Sequence, residues 1–138
     1  MYRNFMINLL LNLEAFIEER KVEIIAELDE FNQIIFIQQG KIVVGYEINN
    51  EKRNCLQFND KCVIGAYGVT WSQRAQFNYH TASRVTGFFI RKSNWLDILS
   101  DPDSKDIIVV LKKNILLDYL TKIKMKVDLS KKRAIKEY

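Results

Sequence analysis

The chain has 138 residues, enough for one domain whose folding buries roughly two thirds of the surface exposed by the unfolded form. With 48% hydrophobic and 12% aromatic residues it is neither a disordered nor a fibrous sequence. The net charge of +4 is uneven: from Lys112 onward nine basic residues face three acidic ones, so this part carries +6 and the rest −2. A basic end of this kind suits nucleic acid, anionic lipid or an acidic protein face, and equally a solvated helix face. Cys55 and Cys62 read as free thiols of a reducing compartment, because a domain with an adequate core needs no staple. A single histidine, His80, and the lack of a Cys-x-x-Cys pair argue against a metal site.

In chain order, Phe5, Leu9, Leu13 and Phe16 recur about once per helical turn, which predicts an N-terminal helix over 1–15. Polar Asn8, Asn12 and Glu14 interrupt it, so it is a poor signal peptide, and no apolar run reaches bilayer length. The period then changes. Val22 to Glu27 and Ile34 to Ile37 are short β-like runs, and Gln39-Gly40 ends the second. Ile42, Val44, Tyr46 and Ile48 alternate with the residues between them, as in a strand with one buried face. Asn49-Asn50 reads as a turn, because Asn tolerates the left-handed conformation. Cys55 to Phe58 and Arg84 to Arg91 complete a block of seven or eight strands over 16–92. Short strands joined by polar turns indicate an antiparallel sandwich or barrel.

Ser93-Asn94 is a predicted cap for a short helix carrying Trp95, Ile98 and Leu99. Pro102 breaks it, and Asp103 or Ser104 is expected to cap a long helix. Ile107, Ile108, Leu111, Ile115, Leu116, Tyr119, Leu120 and Ile123 follow at helical spacing. The helical part is predicted over 93–126, within a domain spanning 1–126. The lysine-rich segment 127–138 lacks apolar periodicity and reads as a mobile or partner-bound basic tail.

Several of these segments resemble cyclic-nucleotide-binding domains. Phe36-Ile37-Gln38-Gln39-Gly40-Lys41-Ile42-Val43-Val44 is similar to that family's strand–turn–strand. Phe89-Ile90-Arg91-Lys92-Ser93-Asn94-Trp95-Leu96-Asp97-Ile98-Leu99 is similar to its last strand and first hinge helix. Val63-Ile64-Gly65-Ala66-Tyr67 followed by His80-Thr81-Ala82-Ser83 looks like the family's phosphate-binding cassette. Gly45-Tyr46-Glu47-Ile48-Asn49, Ile64-Gly65-Ala66-Tyr67 and Gly87-Phe88-Phe89-Ile90-Arg91-Lys92 together look most like the C-terminal cytoplasmic domains of ciliate voltage-gated potassium channels.

The resemblance implies an α+β fold: a cyclic-nucleotide-binding-like, eight-stranded antiparallel jelly-roll barrel with an N-terminal helix and two C-terminal helices. It implies a ligand site at Gly65, Ala66, Tyr67, His80, Thr81, Ala82 and Ser83 with both charged contacts missing. Ala66 stands where the family has the Glu that accepts from the ribose, and His80 where it has the Arg that pairs with the phosphate. Neutral histidine cannot imitate that fork. Losing one charge-assisted hydrogen bond costs about 1.5–3 kcal/mol, and losing two roughly 3–6 kcal/mol. A micromolar site would weaken toward the millimolar range. The segment from Tyr67 to Tyr79 looks longer than in kinase regulatory subunits, and its Trp71, Phe77 and Tyr79 either stack on a base, fill the vacated pocket or, as expected of aromatic residues, form core under a long loop. Leu28 replaces a family turn glycine. Arg74 and Arg84 lie nearby but off the motif position.

In channel relatives that bind no nucleotide, a segment after the long helix folds back as an intrinsic ligand, and Val127-Asp128-Leu129 is the candidate here. The implied role is a regulatory domain of a cation channel, selective for potassium, on the cytoplasmic side of a membrane, with little or no nucleotide binding and no cofactor. Neighbouring channel subunits or other domains of the parent are its expected partners, with a homo-oligomer possible in the parent. The alternative is a genuine cAMP or cGMP sensor with a divergent site. Nucleic acid is not an expected partner, because too little chain follows Met125 for a helix-turn-helix. An enzyme is not expected either: one histidine and no paired acid and base leave no nucleophile–base set.

Overall fold

The computed structural model describes residues 2–136. Helix α1 (Tyr2–Leu11) stops where Asn12 turns its side-chain amide back onto the Asn8 carbonyl at 2.7 Å. Strand β1 (Glu14–Glu18) follows directly, so the predicted helix over 1–15 ends early. The helical spacing misled at Phe16: Phe5, Leu9 and Leu13 pack with the helices, but Phe16 packs into the barrel.

Seven more strands follow: β2 (Glu23–Ile25), β3 (Gln33–Gln39), β4 (Lys41–Ile48), β5 (Glu51–Asn59), β6 (Cys62–Ile64), β7 (Asn78–Thr81) and β8 (Val85–Arg91). They form two four-stranded sheets, ordered β1-β8-β3-β6 and β2-β7-β4-β5, with every pair antiparallel. This is the expected eight-stranded jelly roll. Asn49 and Asn50, at φ 52° and 64°, close the β4–β5 hairpin in the left-handed conformation the sequence indicated.

The strand alternation builds two cores. In β3, Ile35 and Ile37 point into the barrel, where they meet Ile64, Ile42, Val44, Tyr46, Phe77 and Tyr79. Ile34 points the other way, joining Phe5, Ile90, Trp95, Ile98 and Ile108 beneath the helices.

Helix α3 (Lys92–Leu99) starts one residue earlier than expected, after Arg91, with no side-chain cap bond from Ser93 or Asn94. A 3-10 turn at Pro102–Ser104 is capped by Asp101, whose carboxylate accepts from Asp103 N at 3.1 Å and from Ser104 Oγ at 3.0 Å. Helix α4 (Lys105–Tyr119) then continues through a π turn (Leu120–Lys124) into helix α5 (Met125–Lys136).

Helix α5 covers most of the segment 127–138 read as a mobile or partner-bound basic tail, whose last two residues lie outside the described ones. Val127 and Ala134, two turns apart, are 0% and 4% exposed. Ser130 Oγ lies 3.2 Å from the Tyr46 hydroxyl, and the Lys131 ammonium sits over the Tyr46 and Phe77 rings at 5.4 and 5.3 Å. Two small apolar residues among lysines were too sparse to show as a helical stripe. The π turn sets their register. Tyr119 and Val127, both buried, are eight residues apart, whereas two α turns take about 7.2 residues. The extra residue of a π turn absorbs the difference, so both side chains face the barrel.

Candidate functional site

The site is built around a five-residue helix, α2 (Ala66–Thr70), that leaves the end of β6 through Gly65. Gly65 adopts φ +88°, and a Cβ there would lie 2.8 Å from the Gln33 carbonyl oxygen, so only glycine fits without strain. Gly68 presses on the Phe31 ring, where any side chain would collide. On its other side α2 meets α4: Tyr67 stacks on Tyr119 with ring centres 4.1 Å apart and planes 4° apart. The Tyr119 hydroxyl donates to Gln76 Oε1 at 2.9 Å, and its ring also lies beside Phe77 at 6.5 Å.

A cavity of about 430 Å³ opens between α2, the α4–π-turn segment and the β3–β6 side of the barrel. Gly65, Ala66 and Tyr67 line it. His80 does not. It lies on the opposite face of β7 from Tyr79 and Thr81, beside Lys21, Glu23, Asn54 and Asn78 in a separate shallow groove. Arg74 is the arginine that reaches the cavity wall. Its guanidinium donates to the Leu28 carbonyl at 2.9 Å and pairs with Glu30 at 3.2 Å, both partners being largely exposed.

Thr81, Ala82 and Ser83 serve the backbone instead. The fully buried Thr81 hydroxyl donates to the Glu19 carbonyl at 2.6 Å and accepts from Val22 N at 2.8 Å. Ala82 N donates to the Lys41 carbonyl at 2.8 Å, and Ser83 Oγ accepts from Lys41 N at 2.9 Å. These three residues lock β7 to its neighbours and lie away from the cavity. Arg84 pairs with Glu19 at the surface.

The barrel interior is filled by the chain itself. Phe77 and Tyr79 are 1% and 4% exposed and belong to the barrel core, which decides for core residues over a stacking platform. Trp71 does neither; it donates to the Lys112 carbonyl at 3.1 Å and carries the Lys112 ammonium over its ring. Val127 inserts into the same cluster as Ile42, Val44 and Tyr46. Asp128 pairs with Lys124 at 3.1 Å, and Leu129 is half exposed, so Val127 alone of the predicted segment 127–129 enters the interior.

Burial raises the Tyr79 phenol well above its ordinary range, with neighbouring Tyr119 adding to the shift, and burial does the same to Tyr119, next to Tyr67 and Asp128. Cys62 is raised to about 11 by burial and by Asp60. All three stay protonated and neutral at physiological pH, so the charges on the cavity lining are those of Lys61, Arg74, Asp118 and Lys122.

Compared by sequence, the chain matches no family model and no curated protein. Its structure is similar to the regulatory domain of Toxoplasma gondii PKA with cAMP, at TM-score 0.64 and 14% identity over 69% of this chain and 36% of that one. It is also similar to the Thermus thermophilus catabolite activator protein, at TM-score 0.70 and 9% identity over 93% of this chain and 59% of that one. The fold is that of cyclic-nucleotide-binding domains. The half-site-occupied form of the EAL enzyme Bd1971 adds a third likeness, at TM-score 0.62 and 15% identity, covering 76% of this chain and 96% of that one. This chain thus spans about a third of the Toxoplasma chain and somewhat over half of the Thermus one. No helix among the described residues is long and apolar enough to cross a membrane.

Proposed function

We propose that this chain is the cytoplasmic regulatory domain of a potassium-selective cation channel, acting through contacts with neighbouring subunits and not through a second messenger. In this reading it catalyses nothing, and cAMP and cGMP bind weakly or not at all. The supporting observation is Val127 at 0% exposure among the barrel residues, with Tyr119 stacked on the cassette residue Tyr67. The helix that would close over a ligand is closed on the protein itself, and α5 is its built-in occupant. Ala66 offers no carboxylate to a ribose hydroxyl. Sequencing the transcript upstream of the Met1 codon tests the channel context. Six apolar spans with a pore loop are expected, and a parent whose upstream sequence encodes a soluble enzyme or a DNA-binding protein would overturn it.

One observation favours the alternative, a genuine cAMP or cGMP sensor: Arg74 lies on the cavity wall with Gly65. In that reading Arg74 exchanges the exposed Glu30 for a cyclic phosphate, and Arg74→Ala abolishes nucleotide binding.

A further inference from the structure

We propose that the cavity beside α2 binds a free, single-chain carboxylate: an apolar body ending in one negative charge. This rests on the reading that the cassette no longer holds a cyclic nucleotide, and it names what the remaining space accepts. At about 430 Å³ the cavity has the size of a small-ligand site. Phe36, Phe58, Val63, Ile115 and Ile123 give it apolar walls. Val63 is 47% exposed, so the wall has apolar surface still to cover.

The charges on the cavity lining are Lys61, Arg74, Lys122 and Asp118. Arg74 is engaged by Glu30, and Lys122 by Asp118 at 3.6 Å. Lys61 has no ion pair among the described residues, which leaves one cation for one anion. Its position is fixed by a turn in which Asp60 and Lys61 have φ 56° and 39°, and Asp60 is committed to Gly40, accepting from its N–H at 2.7 Å. A neutral amphiphile would leave Lys61 without a counter-charge, and a cationic one would meet three like charges. A carboxylate at Lys61 with its chain along Val63 and Ile115 would touch both the barrel edge and α4, so occupancy would couple to how α4 sits on α2.

The test titrates the full 138-residue chain by calorimetry with dodecanoate, dodecanol and dodecylammonium, each below its micelle or solubility limit. Saturable one-to-one binding of dodecanoate is expected, at least about threefold tighter than dodecanol, the scale of one exposed ion pair. Lys61→Glu, on an exposed turn, should weaken dodecanoate by at least about threefold and leave dodecanol unchanged. Val63→Trp should fill the cavity and remove both. Equal binding of all three amphiphiles, no saturation, or indifference to Lys61→Glu overturns the proposal. cAMP and cGMP are titrated in parallel. Tight nucleotide binding would instead sink the reading on which the proposal rests, so the two failures are separable.

Discussion

Val127→Asp is expected to cost about 3–5 kcal/mol of unfolding free energy, the scale of an uncompensated buried charge. Val127 is fully buried and packs into the cluster that both sheets share. A carboxylate there would face the Tyr46 and Phe77 rings. Lys131, one turn further along α5, is the cation near enough to answer it, and pairing would pull Lys131 off those rings. The cheapest escape is for α5 to lift away, giving up the Tyr46–Ser130 contact and the burial of Ala134. Chemical denaturation and amide exchange measure both routes. The expected result is a large stability loss together with fast exchange over 125–136. A loss under about 1 kcal/mol with α5 still protected would show that α5 is not seated in the barrel. Lys132→Ala, at an exposed position of the same helix, should stay within about 0.5 kcal/mol of wild type.

Trp95→Ala should cost a similar amount, about 3–5 kcal/mol, at the other core. Trp95 is 4% exposed and meets Phe5 edge to face at 6.3 Å, which ties α1 to α3. Its Nε1 donates to Thr70 Oγ1 at 3.0 Å, joining α3 to the last residue of α2. Truncation leaves a cavity and a buried hydroxyl without its partner. Trp95→Phe separates the two contributions: it keeps much of the packing and loses the hydrogen bond, about 1 kcal/mol. A loss under about 1.5 kcal/mol for the alanine variant would mean that α1 and α3 do not share a core.

Much of this architecture was legible in the residues. The alternation of Ile42, Val44, Tyr46 and Ile48 marked β4, and Asn49-Asn50 marked its turn, because both signals are local. What failed depended on distant packing. Phe16 fell at helical spacing from Leu13, yet it belongs to β1 and the barrel. Val127 and Ala134 carry too little apolar area to stand out among lysines, and their alignment with Tyr119 needs a π turn that no periodicity announces. His80 was placed in the cassette because Thr81-Ala82-Ser83 resembles the end of the family motif. Strand alternation held the correcting signal: Tyr79 and Thr81 both face inward, so His80 between them faces away. Gly65 takes a positive φ, a requirement of the backbone alone that favours glycine there. Arg74, nine residues further on, is brought to the same cavity by the loop after α2.

Calorimetric titration of cAMP and cGMP into the domain tests the self-occupied barrel most directly. With Phe77, Tyr79 and Val127 filling the interior and Ala66 at the cassette, the account predicts no saturable heat, or a Kd weaker than about 10 μM for both nucleotides. A Kd below about 10 μM, near −7 kcal/mol, for either nucleotide would contradict it.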